Sequence, residues 1–252
     1  MSISILIPAK NEESMIEECL ASARWADEVI VLDNGSTDDT KKIVKTHQWV
    51  KYFCAEGVLE KYGSRKNKLK SLATGGWLFY LDADERITPL LRNELLRVTK
   101  DNNPLAAYAV PRRNFLLGKE LKFGGWGNDY VMRLFKKDAL IKFIGELHEQ
   151  AIFDGHFGKL TQALIHYQPV TLEEALAKSV IWSDYEAKLF LAPGINHPTV
   201  VWWRVLKMGG LTLWDRLIKK QGFRDGTEGW IESVYQAYHT MIVYLRLWEL
   251  QQ

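Results

Sequence analysis

Residues 78–85 read Leu-Phe-Tyr-Leu-Asp-Ala-Asp-Glu, an apolar run that passes without a break into two carboxylates one residue apart. A short continuous apolar run ending in polar residues predicts a strand buried on both faces, as in a parallel sheet covered by helices. In an extended chain, residues i and i+2 point to one face. Asp82 and Asp84 therefore converge at the C-terminal end of a strand, where open α/β sheets bind ligands. Two adjacent anionic oxygens repel unless a cation lies between them, and hard cations such as Mg²⁺ or Mn²⁺ are held by one or two carboxylates plus substrate phosphates. A polar turn after a buried strand is the plainer alternative, and the rest of the chain decides between them.

The pattern before this motif is regular. Ser2–Pro8 predicts a first strand, and Asn11–Ser14 opens a helix through Met15, Ile16, Cys19 and Leu20. Glu28–Leu32 predicts a second strand that ends in the turn cluster Asp33-Asn34-Gly35-Ser36, followed by a helix through Ile43 and Val44. Val50–Phe53 is a third strand, 64–74 a helix and Trp77–Leu81 the fourth strand. Alternation of this kind implies an α/β fold with a mostly parallel sheet and crossover helices. No Gly-x-Gly-x-x-Gly follows the first strand and no Walker sequence occurs, so neither a dinucleotide fold nor a P-loop is indicated.

Composition excludes other classes. A net charge of +2 gives no electrostatic case for nucleic acid. Two cysteines, Cys19 and Cys54, make neither a disulfide framework nor a zinc site, and both read as buried thiols. The first ten residues lack a signal peptide's basic start and long apolar core, and no run of ~18 apolar residues predicts a membrane span. A cytoplasmic protein is the expectation.

Three separated segments now coincide: Ile5-Leu6-Ile7-Pro8-Ala9-Lys10-Asn11-Glu12, Val31-Leu32-Asp33-Asn34-Gly35-Ser36-Thr37-Asp38, and Leu81-Asp82-Ala83-Asp84-Glu85. In order and spacing they resemble the family 2 glycosyltransferases, over about residues 1–170. With Trp25-Ala26-Asp27-Glu28-Val29, the chain is most similar to the WaaE/KdtX-like group of lipopolysaccharide-core transferases. The resemblance implies the GT-A nucleotide-diphospho-sugar transferase fold at 1–170 and a helical C-terminal extension at 171–252. It implies an inverting transfer of sugar from a nucleotide donor, a UDP-sugar first and ADP-heptose second, to a glycan or lipid-linked glycan. A divalent metal, Mg or Mn, is the implied cofactor.

The resemblance also assigns residues. Pro8, Asn11 and Glu12 lie at the nucleoside, and Asp33 accepts a hydrogen bond from the base or ribose, although Asp before Asn-Gly is also an ordinary turn former. Arg65, Lys66 and Asn67 approach the donor. They belong to a basic run with Lys61, Lys68 and Lys70 that otherwise reads as a solvated helix face. Asp82 orients ribose or a metal-bound water, and Asp84 binds the metal. Glu85 either joins them or starts a helix before Pro89. The glycine-rich Gly124–Asp129 leads into a strand at Val131–Phe135 and borders the acceptor, and Gly145–Glu149 follows. One carboxylate must take the acceptor's proton. Asp129 and Glu149 are the two candidates, Asp129 preferred. His148 shapes this site, and it and His166, at the end of another apolar run, are candidate metal ligands, each also readable as a packed histidine.

Leu172–Phe190 predicts a helix, Ser233–Trp248 a last one. Between them, from Arg204 to Arg224, lie six basic residues and one acid among Trp202, Trp203, Leu206, Leu211 and Trp214. Tryptophan with Lys/Arg on an amphipathic segment reads either as a helix in a membrane interface or as a subdomain packed on the sheet. Peripheral association at the inner face of the cytoplasmic membrane is thus one expectation. The rival functions are transfer to a polyprenyl phosphate, which needs no base, nucleotidyl transfer on a similar sheet, and a non-catalytic sugar-nucleotide or glycan-binding module.

Overall fold

The computed structural model describes residues 2–55, 62–100, 104–116, 118–145, 149–167, 171–192, 194–195 and 197–252. The chain separates into two compact units: Met1–Arg112 with Tyr130–His166, and Arg113–Asp129 with Tyr167–Gln252.

In the first unit, β1 (Ile3–Ala9), α1 (Ile16–Ala23), β2 (Glu28–Asp33), α2 (Thr40–Thr46), β3 (Val50–Cys54), α3 (Tyr62–Leu72) and β4 (Trp77–Tyr80) alternate as expected. β5 (Glu85–Ile87), α4 (Pro89–Lys100) and β6 (Ala107–Leu116) follow, the last running past Arg112 into the second unit. After β7 (Lys119–Leu121) come β8 (Asp129–Lys136), β9 (Leu140–Ile144), β10 (Gln150–Phe153), β11 (Phe157–Lys159) and β12 (Leu164–Tyr167). The sheet order is β3-β2-β1-β4-β8-β6-β12-β5. β1 pairs in parallel with β2 and β4, and β2 with β3. β8 enters antiparallel to β4, and β12 runs antiparallel to β5. The parallel expectation therefore holds for the first four strands; beyond β4 the sheet is mixed, with β11 parallel to β6 and β7 antiparallel to it. β9 and β10 form a separate antiparallel pair.

Both faces of the parallel half are buried, which is why its strands are near-continuously apolar. Ile3, Ile5, Ile7, Val29, Val31 and Phe79 form one core with Ile16, Cys19 and Leu20 of α1 and Leu91 and Leu95 of α4. Leu6, Ile30, Leu32, Leu78 and Tyr80 form the other, with Leu69 of α3 and with Phe135 and Phe143. Ser4 breaks this alternation. Its hydroxyl bonds the buried Glu28 carboxylate and accepts from the Gly75 N–H at 2.9 Å. A Cβ at Gly75 would stand 2.6 Å from the Ser4 hydroxyl, so glycine is required there. Cys19 is buried as expected, but Cys54 is exposed, because β3 is the edge strand and Cys54 its last residue.

The second unit holds three helices, α5 (Leu172–Leu189), α6 (Trp202–Trp214) and α7 (Thr227–Leu250). Thr171 caps α5 by accepting the Glu174 N–H. α6 opens into a wide turn at Asp215–Lys219, and Gln221 in the left-handed region reverses the chain. α7 starts six residues earlier than the sequence pattern suggests, since Gly226 and Gly229 disguise its first turn. Ala187, Val200, Val205, Val243, Tyr244 and Leu247 make this unit's core.

Candidate active site

The β1–α1 and β2–α2 loops leave neighbouring strand ends and are laced together. Pro8 and Ala9 stand in register with Leu32 and Asp33. Asn11 sits at φ 55°, a left-handed conformation that asparagine tolerates. Its N–H donates to the Ser36 hydroxyl at 2.9 Å, and its side-chain oxygen accepts the Thr37 N–H at 2.8 Å. The Glu12 N–H donates to the Thr40 hydroxyl at 2.8 Å. Asp33 is buried at the tip of β2. One carboxylate oxygen accepts from the Ser36 N–H at 2.9 Å and hydroxyl at 2.7 Å, and the other accepts from the Tyr52 hydroxyl at 2.7 Å. The turn role and a fixed carboxylate therefore coexist. Burial, and the Asp33 carboxylate after it, push the Tyr52 phenol well up, so it remains a donor. Tyr52 was not singled out from the sequence, where the period-two pattern of β3 was its only signal; Ser36 was visible as part of the turn cluster after β2.

The carboxylates after β4 do not point as one pair. Asp82 is salt-bridged to Arg133 of β8, and its N–H donates to Glu85 at 3.1 Å. The same Arg133 nitrogen donates to Glu85 at 2.6 Å, and Arg112 reaches Glu85 at 3.4 Å. Burial opposes charge on Asp82, but Arg133, with Lys66 and Arg112 behind it, holds its carboxyl well below the usual range. Glu85 is fully buried in β5, not at a helix start. Arg133 and Glu85 thus fix Asp82 in place. The signal for Arg133 was a charge inside the apolar Val131–Phe135 run, since a buried guanidinium requires partners.

Asp84 turns to His166 of β12, whose Nε2 lies 3.5 Å from its carboxylate, both partly shielded. A carboxylate oxygen and an imidazole nitrogen side by side form a donor set that fits a divalent cation completed by phosphate oxygens and water. Among the described residues no cluster of three or more His, Cys, Asp or Glu side chains is placed to hold a metal. His148 lies outside the described residues.

On α3, Lys66 is buried and ion-paired with Glu149, its ammonium also near the Tyr80 and Phe143 rings. Asn67 bonds the Phe143 backbone at both ends of its amide, donating to the carbonyl at 2.9 Å and accepting the N–H at 2.7 Å. Lys70 donates to the Leu140 and Ile141 carbonyls. Asn67 and Lys70 therefore attach α3 to β9 and Lys66 is neutralised by Glu149, while Lys68 of the same run is exposed to solvent. Arg65 is half-buried beside it, and Lys61 lies outside the described residues.

Asp129 belongs to the second unit. Its carboxylate accepts from the buried Asn114 amide at 3.1 Å. The glycine-rich loop before it is tight: a Cβ on Gly127 would fall 2.1 Å from the Lys122 carbonyl oxygen. Arg216 donates to the Gly124 carbonyl at 3.0 Å and stacks over Trp126.

Residues 4–147 match the family model Glycosyl transferase family 2, more than half of the chain. The chain belongs to glycosyl transferase family 2, and it is a glycosyltransferase of GT-A fold with a helical C-terminus. It is 23% identical over 262 residues to the lipopolysaccharide core biosynthesis glycosyltransferase LpsC of Rhizobium meliloti (strain 1021), covering 99% of this chain and 93% of LpsC. A Campylobacter jejuni GalNAc(5)-diNAcBac-PP-undecaprenol beta-1,3-glucosyltransferase is 29% identical over 157 residues, covering 57% of this chain and 49% of that protein. Among solved structures, the mannosyltransferase PcManGT from Pyrobaculum calidifontis, in complex with GDP-Man and Mn²⁺, superposes with a TM-score of 0.58 at 13% identity, covering 100% of this chain and 88% of that one. S. aureus TarS 1–349 with UDP-GlcNAc gives 0.50 at 15% identity, covering 100% and 91%.

Proposed function

We propose that the protein is an inverting, metal-dependent transferase that moves one sugar from a nucleotide-sugar donor to a hydroxyl of a glycan or lipid-linked glycan of the bacterial surface. It acts on the cytoplasmic side, at the inner face of the membrane. The observation that carries this reading is the set of acids at the ends of β2 and β4, the two strands that flank β1. Asp33 is held by Tyr52 and Ser36, Asp82 is held by Arg133, and Asp84 lies beside His166. The relatives' printed names supply the surface-glycan context.

In this reading Pro8, Asn11, Glu12 and Asp33 receive the nucleoside. Asp82, charged throughout the physiological range, accepts from the ribose. Arg65 and Lys66 add positive charge toward the diphosphate, while Asn67 holds β9 in place. Asp84 and His166, with His148 as a further candidate, hold the divalent cation; when bound it neutralises the diphosphate and stabilises it as a leaving group. A carboxylate takes the acceptor hydroxyl's proton as the oxygen bonds to the anomeric carbon. The bond from that carbon to the diphosphate breaks on the opposite side, and the nucleoside diphosphate departs. Asp129, which accepts from the Asn114 amide, is the preferred base on the family resemblance, and Glu149, ion-paired with Lys66, is the alternative. UDP is the first donor nucleotide to test, ADP the second.

The test is a thermal-shift panel of UDP, GDP, ADP and CMP, each with Mn²⁺ and with EDTA. At ~100 times its dissociation constant, the right nucleotide adds about 2.7 kcal/mol of stability. That shift disappears in EDTA and in Asp84→Ala, whose melting temperature without ligand is unchanged. A nucleotide response that is indifferent to EDTA and to Asp84→Ala removes the metal from the mechanism.

A further inference from the structure

Helix α6 buries one side only. Val205 and Gly209 face inward, and a Cβ on Gly209 would come within 2.6 Å of the Met241 side chain of α7. The other side presents Trp202, Trp203, Leu206, Leu211 and Trp214, all exposed, Trp202 by 76%. On α7, Trp230, Val234, Leu245 and Trp248 are exposed as well, at spacings that return to one side of a helix. Apolar surface this extensive on a folded chain marks an interaction site.

The charges decide what covers it. Lys207 stands among the α6 tryptophans, with its ammonium 5.8 Å from the Trp203 ring, and Arg204 approaches the same ring from 5.9 Å. Lys219, Lys220 and Arg224 follow at the end of the helix, and the one acid of this stretch, Asp215, is already paired with Lys220 at 2.7 Å. Protein–protein interface cores are depleted in lysine, and a second copy docked on this face would set cation against cation. An anionic bilayer suits both components: tryptophan rings settle at headgroup depth, and Lys/Arg meet lipid phosphates. No helix among the described residues is long and apolar enough to cross a membrane, so the segment would lie in the plane of the surface.

We propose that the outer side of α6, with the adjoining stripe of α7, is a docking face for an anionic lipid surface. The inference deepens the reading of a transferase that serves lipid-linked acceptors, but it stands on residues outside the nucleotide site.

The test is flotation of the full chain with vesicles of phosphatidylcholine alone and of phosphatidylcholine mixed equally with phosphatidylglycerol. Binding to the mixed vesicles is expected, with a blue shift of tryptophan emission and weakening by salt. The double variant Trp202→Ser/Trp214→Ser loses flotation. Lys207→Gln and Lys219→Gln each weaken it about fivefold, the equivalent of ~1 kcal/mol per charge near an anionic surface. The substituted side chains are exposed, and an unchanged melting temperature shows that the variants fold. Failure of the wild type to float with mixed vesicles, or flotation that the tryptophan variant retains, overturns the proposal. A wild-type dimer abolished by the same variant, without flotation, assigns the face to a second copy and also overturns it. The nucleotide panel separates the two readings. A tryptophan variant that keeps its nucleotide shift while losing vesicles supports the docking face, whereas a wild type that floats without any nucleotide shift counts against the transferase alone.

Discussion

Glu28 shows how much one side chain can carry in this fold. It is buried and accepts from Lys51 at 2.6 Å and from the Thr74 N–H and hydroxyl at 2.8 and 2.9 Å, besides Ser4. Burial works against its charge, but these donors outweigh it and lower its pKa from 4.5 to about 2. A carboxylate with a depressed folded pKa adds stability that is fully present above 4.5 and is lost as pH falls through about 2. Urea unfolding followed from pH 5 to pH 2 should therefore show the wild type losing roughly 2–3 kcal/mol that Glu28→Gln does not lose. Parallel curves would mean that Glu28 titrates alike folded and unfolded. Tyr52 is the corresponding residue at the site. Tyr52→Phe releases one oxygen of Asp33 and is expected to raise the donor KM roughly tenfold with little change in kcat, the scale of one hydrogen bond to a charged group. An unchanged donor KM would separate Asp33 from the donor.

Elements are placed here by backbone contacts that leave no room. In the first turn of α7, a Cβ on Gly229 would stand 2.0 Å from the Gly222 carbonyl oxygen and 2.8 Å from Asp225, both in the turn that precedes the helix. Asp225 in turn accepts the Lys122 and Phe123 N–H groups at 3.0 and 2.8 Å. Gly229→Ala must displace that turn, and a loss of about 1–3 kcal/mol is expected by chemical denaturation. By contrast, Thr171→Ala removes only the α5 cap and should cost ~1 kcal/mol. A Gly229→Ala variant as stable as the wild type would show that the turn can move. The helices themselves were legible, because apolar spacing sets them. The starts of α1 and α7 were not, since asparagine and glycine there serve tertiary contacts and not the helix.

Across the molecule, the two candidate bases fall in different units, Glu149 in the first and Asp129 in the second. Asp129→Asn is expected to reduce kcat 10²–10⁴-fold, the usual worth of a general base, with Glu149→Gln milder. The reverse ranking would assign the base to the first unit, and near-wild-type rates in both would point to an acceptor that is already anionic. The parallel half of the sheet and the class of chemistry were readable from the sequence. The first rests on short, continuous apolar runs alternating with helix patterns, and the second on three motifs that resemble one family in order and spacing. Three things were decided only in space. Asp82 and Asp84 diverge, one to the Arg133 guanidinium and the other to the His166 imidazole, because residues far along the chain supply the partners. Two members of the basic run of α3 became anchors, Lys70 because β9 offers it carbonyls and Lys66 because Glu149 offers a carboxylate. The antiparallel entry of β8 beside β4 follows from pairing between distant segments, whose alternation reads the same in either direction. A sequence records which side chains need partners; the tertiary structure chooses the partners, because burial forces each charge to take whatever opposite charge the fold brings within reach.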